Sequence, residues 1–111
     1  MDISFKNRKL EKVFNSEKEL LRNYGKDNAT LIKRRMAVLK AADTLIEVPT
    51  AKPERCHELA GDRKGEFSVD LKNPYRLISK PNHDPVPLKK DKGIDLTRVT
   101  AITILGVEDY H

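Results

Sequence analysis

The amino-acid sequence predicts an α+β fold: a mostly antiparallel sheet with two to three N-terminal helices packed on one face. Three observations lead there. Residues 61–80 read as a β-hairpin, because Phe67, Val69 and Leu71 alternate with Glu66, Ser68 and Asp70, the period of a strand with one dry and one wet face. Residues 99–107 are apolar or Thr on both faces apart from Gly106, which predicts a central strand. Before residue 47 the apolar residues recur at helical spacing instead.

Taken in order, Asp2-Ile-Ser-Phe5 is a short edge strand. Asn7 caps a first helical turn carrying Leu10, Val13 and Phe14. Ser16-Glu-Lys-Glu19 is a capping-box sequence, in which Ser16 and Glu19 each satisfy a free amide. The pattern allows one helix broken near Asn15 or two short ones, ending with Gly25 as the residue past the C-cap. Asp27 or Asn28 then caps a second helix from about Ala29 to about Leu45. Its stripe is Ile32, Met36, Leu39, Ala42 and Ile46, and Lys33, Arg34, Arg35 and Lys40 populate the rest of its surface.

Val48 to Pro53 is a linker, because its two prolines oppose a helix. Arg55 to Leu59 leads into the hairpin as a further strand, and Lys72-Asn73-Pro74 is the hairpin turn. Residues 80–98 are the least regular, with Pro81, Pro85, Pro87 and a basic turn, Lys89-Lys-Asp-Lys-Gly93. In the last strand Gly106 marks a bulge or bend.

Length and composition bound the function. The 111 residues fit one domain spanning 1–111 with a modest core. With 35% charged residues and a formal net charge of +5, the chain favours an anionic partner, either nucleic acid or an acidic protein surface. An acidic or amphipathic partner segment is expected over the basic surface around Arg34, Arg35 and the hairpin. Cys56 is the single cysteine, which excludes a disulfide framework and a cysteine-based zinc site within the chain; it reads as a small buried hydrophobe. No signal-peptide run or membrane span is evident, so a cytoplasmic location without membrane association is expected.

The chemistry-bearing residues gather near the end of the chain. Glu108-Asp-Tyr-His111 follows the most apolar strand directly. It reads either as a solvated tail or as a continuing strand, in which Asp109 and His111 share one face and Tyr110 takes the other. In the second case Asp109 can orient the His111 imidazole. With Arg63, Lys64 and Arg76 on nearby strands, this assembles a proton-transfer group and cations around an anion. Phosphodiester cleavage needs those parts: a base on the 2′-hydroxyl, an acid for the leaving oxygen, and positive charge on the developing phosphorane. There is no Walker phosphate loop. His57, His83 and His111 lack metal-ligand spacing, and no cofactor is implied.

A family resemblance rests on specific stretches. Cys56-His-Glu-Leu-Ala-Gly-Asp-Arg-Lys-Gly-Glu-Phe-Ser-Val-Asp-Leu, then Pro74-Tyr-Arg-Leu-Ile, then Glu108-Asp-Tyr-His111 resemble the HigB branch of the RelE/ParE toxin superfamily, in its longer killer-protein-like form with a Pro-rich insertion before the last strand. The resemblance runs over essentially the whole chain. It implies a microbial-RNase fold and a toxin of a type II toxin–antitoxin system, a metal-independent mRNA endonuclease (mRNA interferase) acting on the translating ribosome. It also implies a neutralising helix-turn-helix antitoxin of HigA type. Carried over by position, the catalytic set is His57, Arg76, Asp109, Tyr110 and His111, with Arg63 and Lys64 on the RNA. One departure stands out: where the family has a catalytic lysine directly before Gly-Asp-Arg, this chain has Ala60. Either Lys64 or Arg63 substitutes, or catalysis is weakened and the chain is a non-catalytic, ParE-like or antitoxin-binding module on the same scaffold.

Overall fold

A computed structural model describes residues 1–109 of the chain. Strand β1 (Asp2–Phe5) is followed by helices α1 (Arg8–Phe14) and α2 (Glu17–Ala41). Strands β2 (His57–Glu58), β3 (Phe67–Asp70), β4 (Tyr75–Pro81) and β5 (Ala101–Asp109) complete the order. They form one five-stranded sheet, β1-β5-β4-β3-β2. β1 runs parallel to β5, and every other neighbouring pair is antiparallel. The class is therefore α+β, with a mixed sheet and two helices packed on it. No helix of the described residues is long and apolar enough to cross a membrane.

The helix starts follow local chemistry. Asn7 Oδ1 accepts from the Leu10 amide at 2.8 Å, and Ser16 Oγ accepts from the Glu19 amide at 3.2 Å. Each satisfies a donor that a helix start leaves open. The Ser16 amide donates to the Val13 carbonyl, so only half of the expected capping box forms. Gly25 takes φ 80°, ψ 169°, a region nearly reserved for glycine, and α2 bends there. The helix resumes at once, without the expected cap at Asp27 or Asn28. Asn28 is instead buried, and its Oδ1 accepts from the Lys72 amide at 2.9 Å. Asp27 pairs with Lys72 Nζ at 2.6 Å. The two side chains tie the helix to the β3–β4 turn.

One face of the sheet carries Val69, Leu77, Ile102, Ile104 and Val107, which pack with Leu20, Ile32 and Leu39 of α2 in the core. Two readings of the helix stripe change. Ile46 is 54% exposed, because α2 ends at Ala41 and the helical period no longer applies; Leu45 is buried in its place. Arg35 is 6% exposed rather than on the solvated face. Its Nε donates to the Asp70 carbonyl at 2.7 Å and its Nη2 to the Pro53 carbonyl at 3.5 Å. Ser68, expected on a wet face, is fully buried, between His57 and the equally buried Ile78.

β5 lies between β1 and β4, as its two-sided apolarity predicts, and Ile102 and Ile104 are both 0% exposed. The expected bulge is present. Ile78 pairs with Gly106 and Ser79 with Ile104, which leaves Leu105 as the extra residue, and Gly106 takes φ 143°. Strict alternation would put Ile102, Ile104 and Glu108 on one face. The bulge shifts the phase, so Val107 faces the core opposite Leu77 and Glu108 sits opposite Arg76. The Pro-rich segment folds back on itself: Leu88 bridges Ile94, and the Lys89 amide donates to the Gly93 carbonyl at 2.7 Å.

Candidate functional site

The face of the sheet away from the helices carries the ionisable residues. Arg76 and Ile78 alternate with Leu77 and Ser79, so they share this face. Register places Arg76 between Asp70 of β3 and Glu108 of β5. Arg76 Nε lies 3.8 Å from Asp70 Oδ1. Asp70 also receives Arg55, whose Nε donates to Oδ2 at 2.6 Å. Arg55 reaches it from a left-handed backbone, φ 45°. Of the expected strand 55–59, only His57 and Glu58 enter the ladder.

Arg63, in the short turn Gly61–Arg63, is the hub of a second cluster. Its two terminal nitrogens meet Glu108 at 2.6 and 2.8 Å, and Nη2 meets Glu66 at 2.6 Å. Such a bidentate fork is the strong geometry for an arginine–carboxylate pair. Glu108 and Glu66 hold the guanidinium well above its ordinary range, and Arg63 holds the Glu108 carboxyl below its ordinary 4.5.

His57 is exposed, and its Nδ1 is 2.9 Å from the Arg55 carbonyl. With the carbonyl as acceptor, the Nδ1 N–H donates to it, which leaves Nε2 as the second ring nitrogen. His57 pairs with Ser68, and Ser68 with Ile78. On ideal strand spacings this sets His57 ~12 Å from Arg76 on the same face. His83 takes a structural part: its Nε2 accepts from the Thr100 amide at 3.1 Å. Cys56 is buried, and burial pushes its thiol up to about 11.

The structure thus brings Arg76, Arg63, Asp70 and Glu108 together at one end of β3, β4 and β5. His57 stands on the far strand. Lys64 is exposed beside Arg63. Asp109 pairs with Tyr75 at the end of β5, so the acid directly across from Arg76 is Glu108. Tyr110 and His111 lie outside the described residues. Sequence reasoning missed Glu66, Asp70 and Glu108 as partners of the arginines. For Glu108 the signal was the phase shift at Gly106, for Asp70 the hairpin register that sets it opposite Arg76, and for Glu66 its place three residues after Arg63. Among the described residues no group of His, Cys, Asp or Glu is arranged to hold a metal ion. No protein-family model matches the chain, and no curated protein matches it at a significant level.

Proposed function

We propose that the chain is an RNA-cleaving toxin with a RelE/ParE-like fold, acting in the cytoplasm on ribosome-bound mRNA and neutralised by a helix-turn-helix antitoxin. The reading rests on the residue resemblance. The observation that carries it on the structural side is the charged cluster at one end of the polar sheet face, where Arg76 stands between Asp70 and Glu108 and the exposed Lys64 follows Arg63. In the reaction, the 2′-oxygen bonds to phosphorus as the bond to the 5′-oxygen breaks. A base takes the 2′-hydroxyl proton and an acid returns one to the 5′-oxygen. His111, with Asp109 to orient or polarise it, serves proton transfer, and the exposed His57 is the second proton-transfer group. Tyr110 stacks on a base or donates a hydrogen bond near the phosphate. Arg76 and Lys64 stabilise the phosphorane charge.

One observation favours the second reading, a non-catalytic binding module. Ala60 supplies no cation, and Arg63 is held by Glu66 and Glu108, which leaves Lys64 to stand in for a missing lysine. Induced expression followed by mapping of mRNA 5′ ends separates the two. New 5′ ends in translated messages, lost on truncation of His111, support the nuclease. Growth inhibition without new ends supports the module.

A further inference from the structure

We propose that the groove between the hairpin and the folded-back Pro-rich segment binds the backbone of single-stranded RNA beside the candidate centre. This rests on the RNA reading for its occupant. The groove holds about 440 Å³ and is lined by Lys64, Lys80 and Lys92 over an apolar floor of Val86, Leu88 and Ile94. Leu88 is 52% exposed, an apolar side chain presented to solvent inside a ring of lysines.

Charge decides the occupant. The groove also contains Glu58 and Glu66, and both are engaged internally. Glu58 Oε2 accepts from the Gly65 amide at 2.9 Å, and Glu66 is bound by Arg63 at 2.6 Å. Lys89, at the neighbouring turn, lies 3.7 Å from Asp91. Lys64, Lys80 and Lys92 are exposed, and none of the three forms an ion pair among the described residues. Arg63 offsets part of the Glu66 charge while Glu58 keeps its own, and the three lysines outnumber the two carboxylates, so the lining is net positive toward an external anion. Lys92 sits at φ 70°, in a tight turn closed by the Gly93 amide on Asp91 Oδ1 at 2.8 Å, so its position is built rather than incidental. A polyanion with apolar faces between its charges fits this lining: phosphates meet the lysines, and a base covers Leu88.

The groove is continuous with the candidate centre. Glu66 lines it and is joined through Arg63 to Glu108. Lys80 lies four residues along β4 from Arg76, on the same face, which is ~13 Å at strand rise.

The test is fluorescence anisotropy with an end-labelled, 2′-O-methylated single-stranded RNA dodecamer, which cannot be cleaved, across a salt series. Each phosphate contact on a single strand contributes ~0.7 to the slope of log K against log salt. The triple variant Lys64→Gln, Lys80→Gln, Lys92→Gln should lose about 2 in slope while its melting temperature holds. Leu88→Ser should weaken binding with the slope unchanged. An unchanged slope in the triple variant, or no binding by the wild type at low salt, overturns the proposal. Polyglutamate bound as tightly as the RNA, with the same loss in the triple variant, overturns it in favour of an acidic protein segment. Binding lost in the triple variant of a chain that leaves ribosomal mRNA uncut sustains the groove and removes the nuclease. Cleavage by a wild type whose triple variant binds unchanged does the reverse.

Discussion

Ser68 sits in the middle of the sheet with a hydroxyl sealed from solvent and no hydrogen-bond partner among the described residues. An unmade hydrogen bond of this kind costs ~1–3 kcal/mol, so Ser68→Ala should raise stability by about 1 kcal/mol, read as a higher melting temperature. A lower one would contradict an unpartnered hydroxyl. Glu108 is the opposite case, a carboxylate whose partner holds its folded pKa low. Its stabilisation is complete above its unfolded value near 4.5 and is lost as pH falls through the lower folded value. Melting temperature should therefore drop on acidification below about pH 4.5. In Glu108→Gln it should start lower at neutral pH and fall less steeply. Cys56, with its thiol pushed up to about 11 inside the core, should resist alkylation at pH 8 in the folded protein and react only when denatured.

At the scale of elements, two glycines set how helix and strand present their residues. Neither Gly25 nor Gly106 would meet an atom within 4 Å through an added Cβ, yet both have positive φ. Backbone strain, rather than crowding, is the reason for glycine there. Gly25→Ala and Gly106→Ala should each cost ~1–3 kcal/mol in chemical denaturation, with Gly106→Ala also disturbing Glu108, which follows the bulge. These positions show what was legible in the sequence. Caps at Asn7 and Ser16, the bulge at Gly106 and the interior place of β5 follow from local chemistry and periodicity. The bend at Gly25 followed by immediate resumption of the helix did not, because Asn28 looks like a cap until the β3–β4 turn comes within its reach. Arg35 looked like one more cation on a basic face. Its burial depends on two carbonyls, of Pro53 and Asp70, brought to it by tertiary folding. Of the candidate site, the cations were legible and Glu108 as an arginine partner was not, because the pairing of Arg63 with Glu108 spans 45 residues of sequence.

Over the whole molecule, the net charge of +5 is used in two ways on the polar face of the sheet. Arg55, Arg63 and Arg76 turn to carboxylates of the chain itself. Lys64, Lys80 and Lys92 turn outward around the groove. The division suits the two side chains: a planar guanidinium fork matches fixed carboxylates, while an ammonium on a flexible stem serves as a mobile point charge. Substitutions should therefore separate stability from activity. Arg63→Gln should lower stability by about 1 kcal/mol, a modest figure because the pair is partly solvated. Arg35→Met leaves the Asp70 and Pro53 carbonyls without their charged donor and should cost ~1.5–3 kcal/mol. Lys64→Gln should leave stability within ~0.5 kcal/mol, as for a surface change, while on the nuclease reading it reduces cleavage of ribosome-bound mRNA. The sharper form of the experiment adds charge at Ala60, which is exposed in an extended segment next to Arg63 and Lys64. On the nuclease reading, Ala60→Lys should leave the fold intact and raise cleavage by roughly 10-fold or more, since a cation engaged only at the transition state acts on the chemical step itself. Measured beside Lys64→Gln, it tells the two readings apart: a gain at residue 60 that also rescues the loss at residue 64 means the two lysines serve one phosphate. An Ala60→Lys chain that folds, binds RNA and leaves mRNA uncut would mark the scaffold as a binding module.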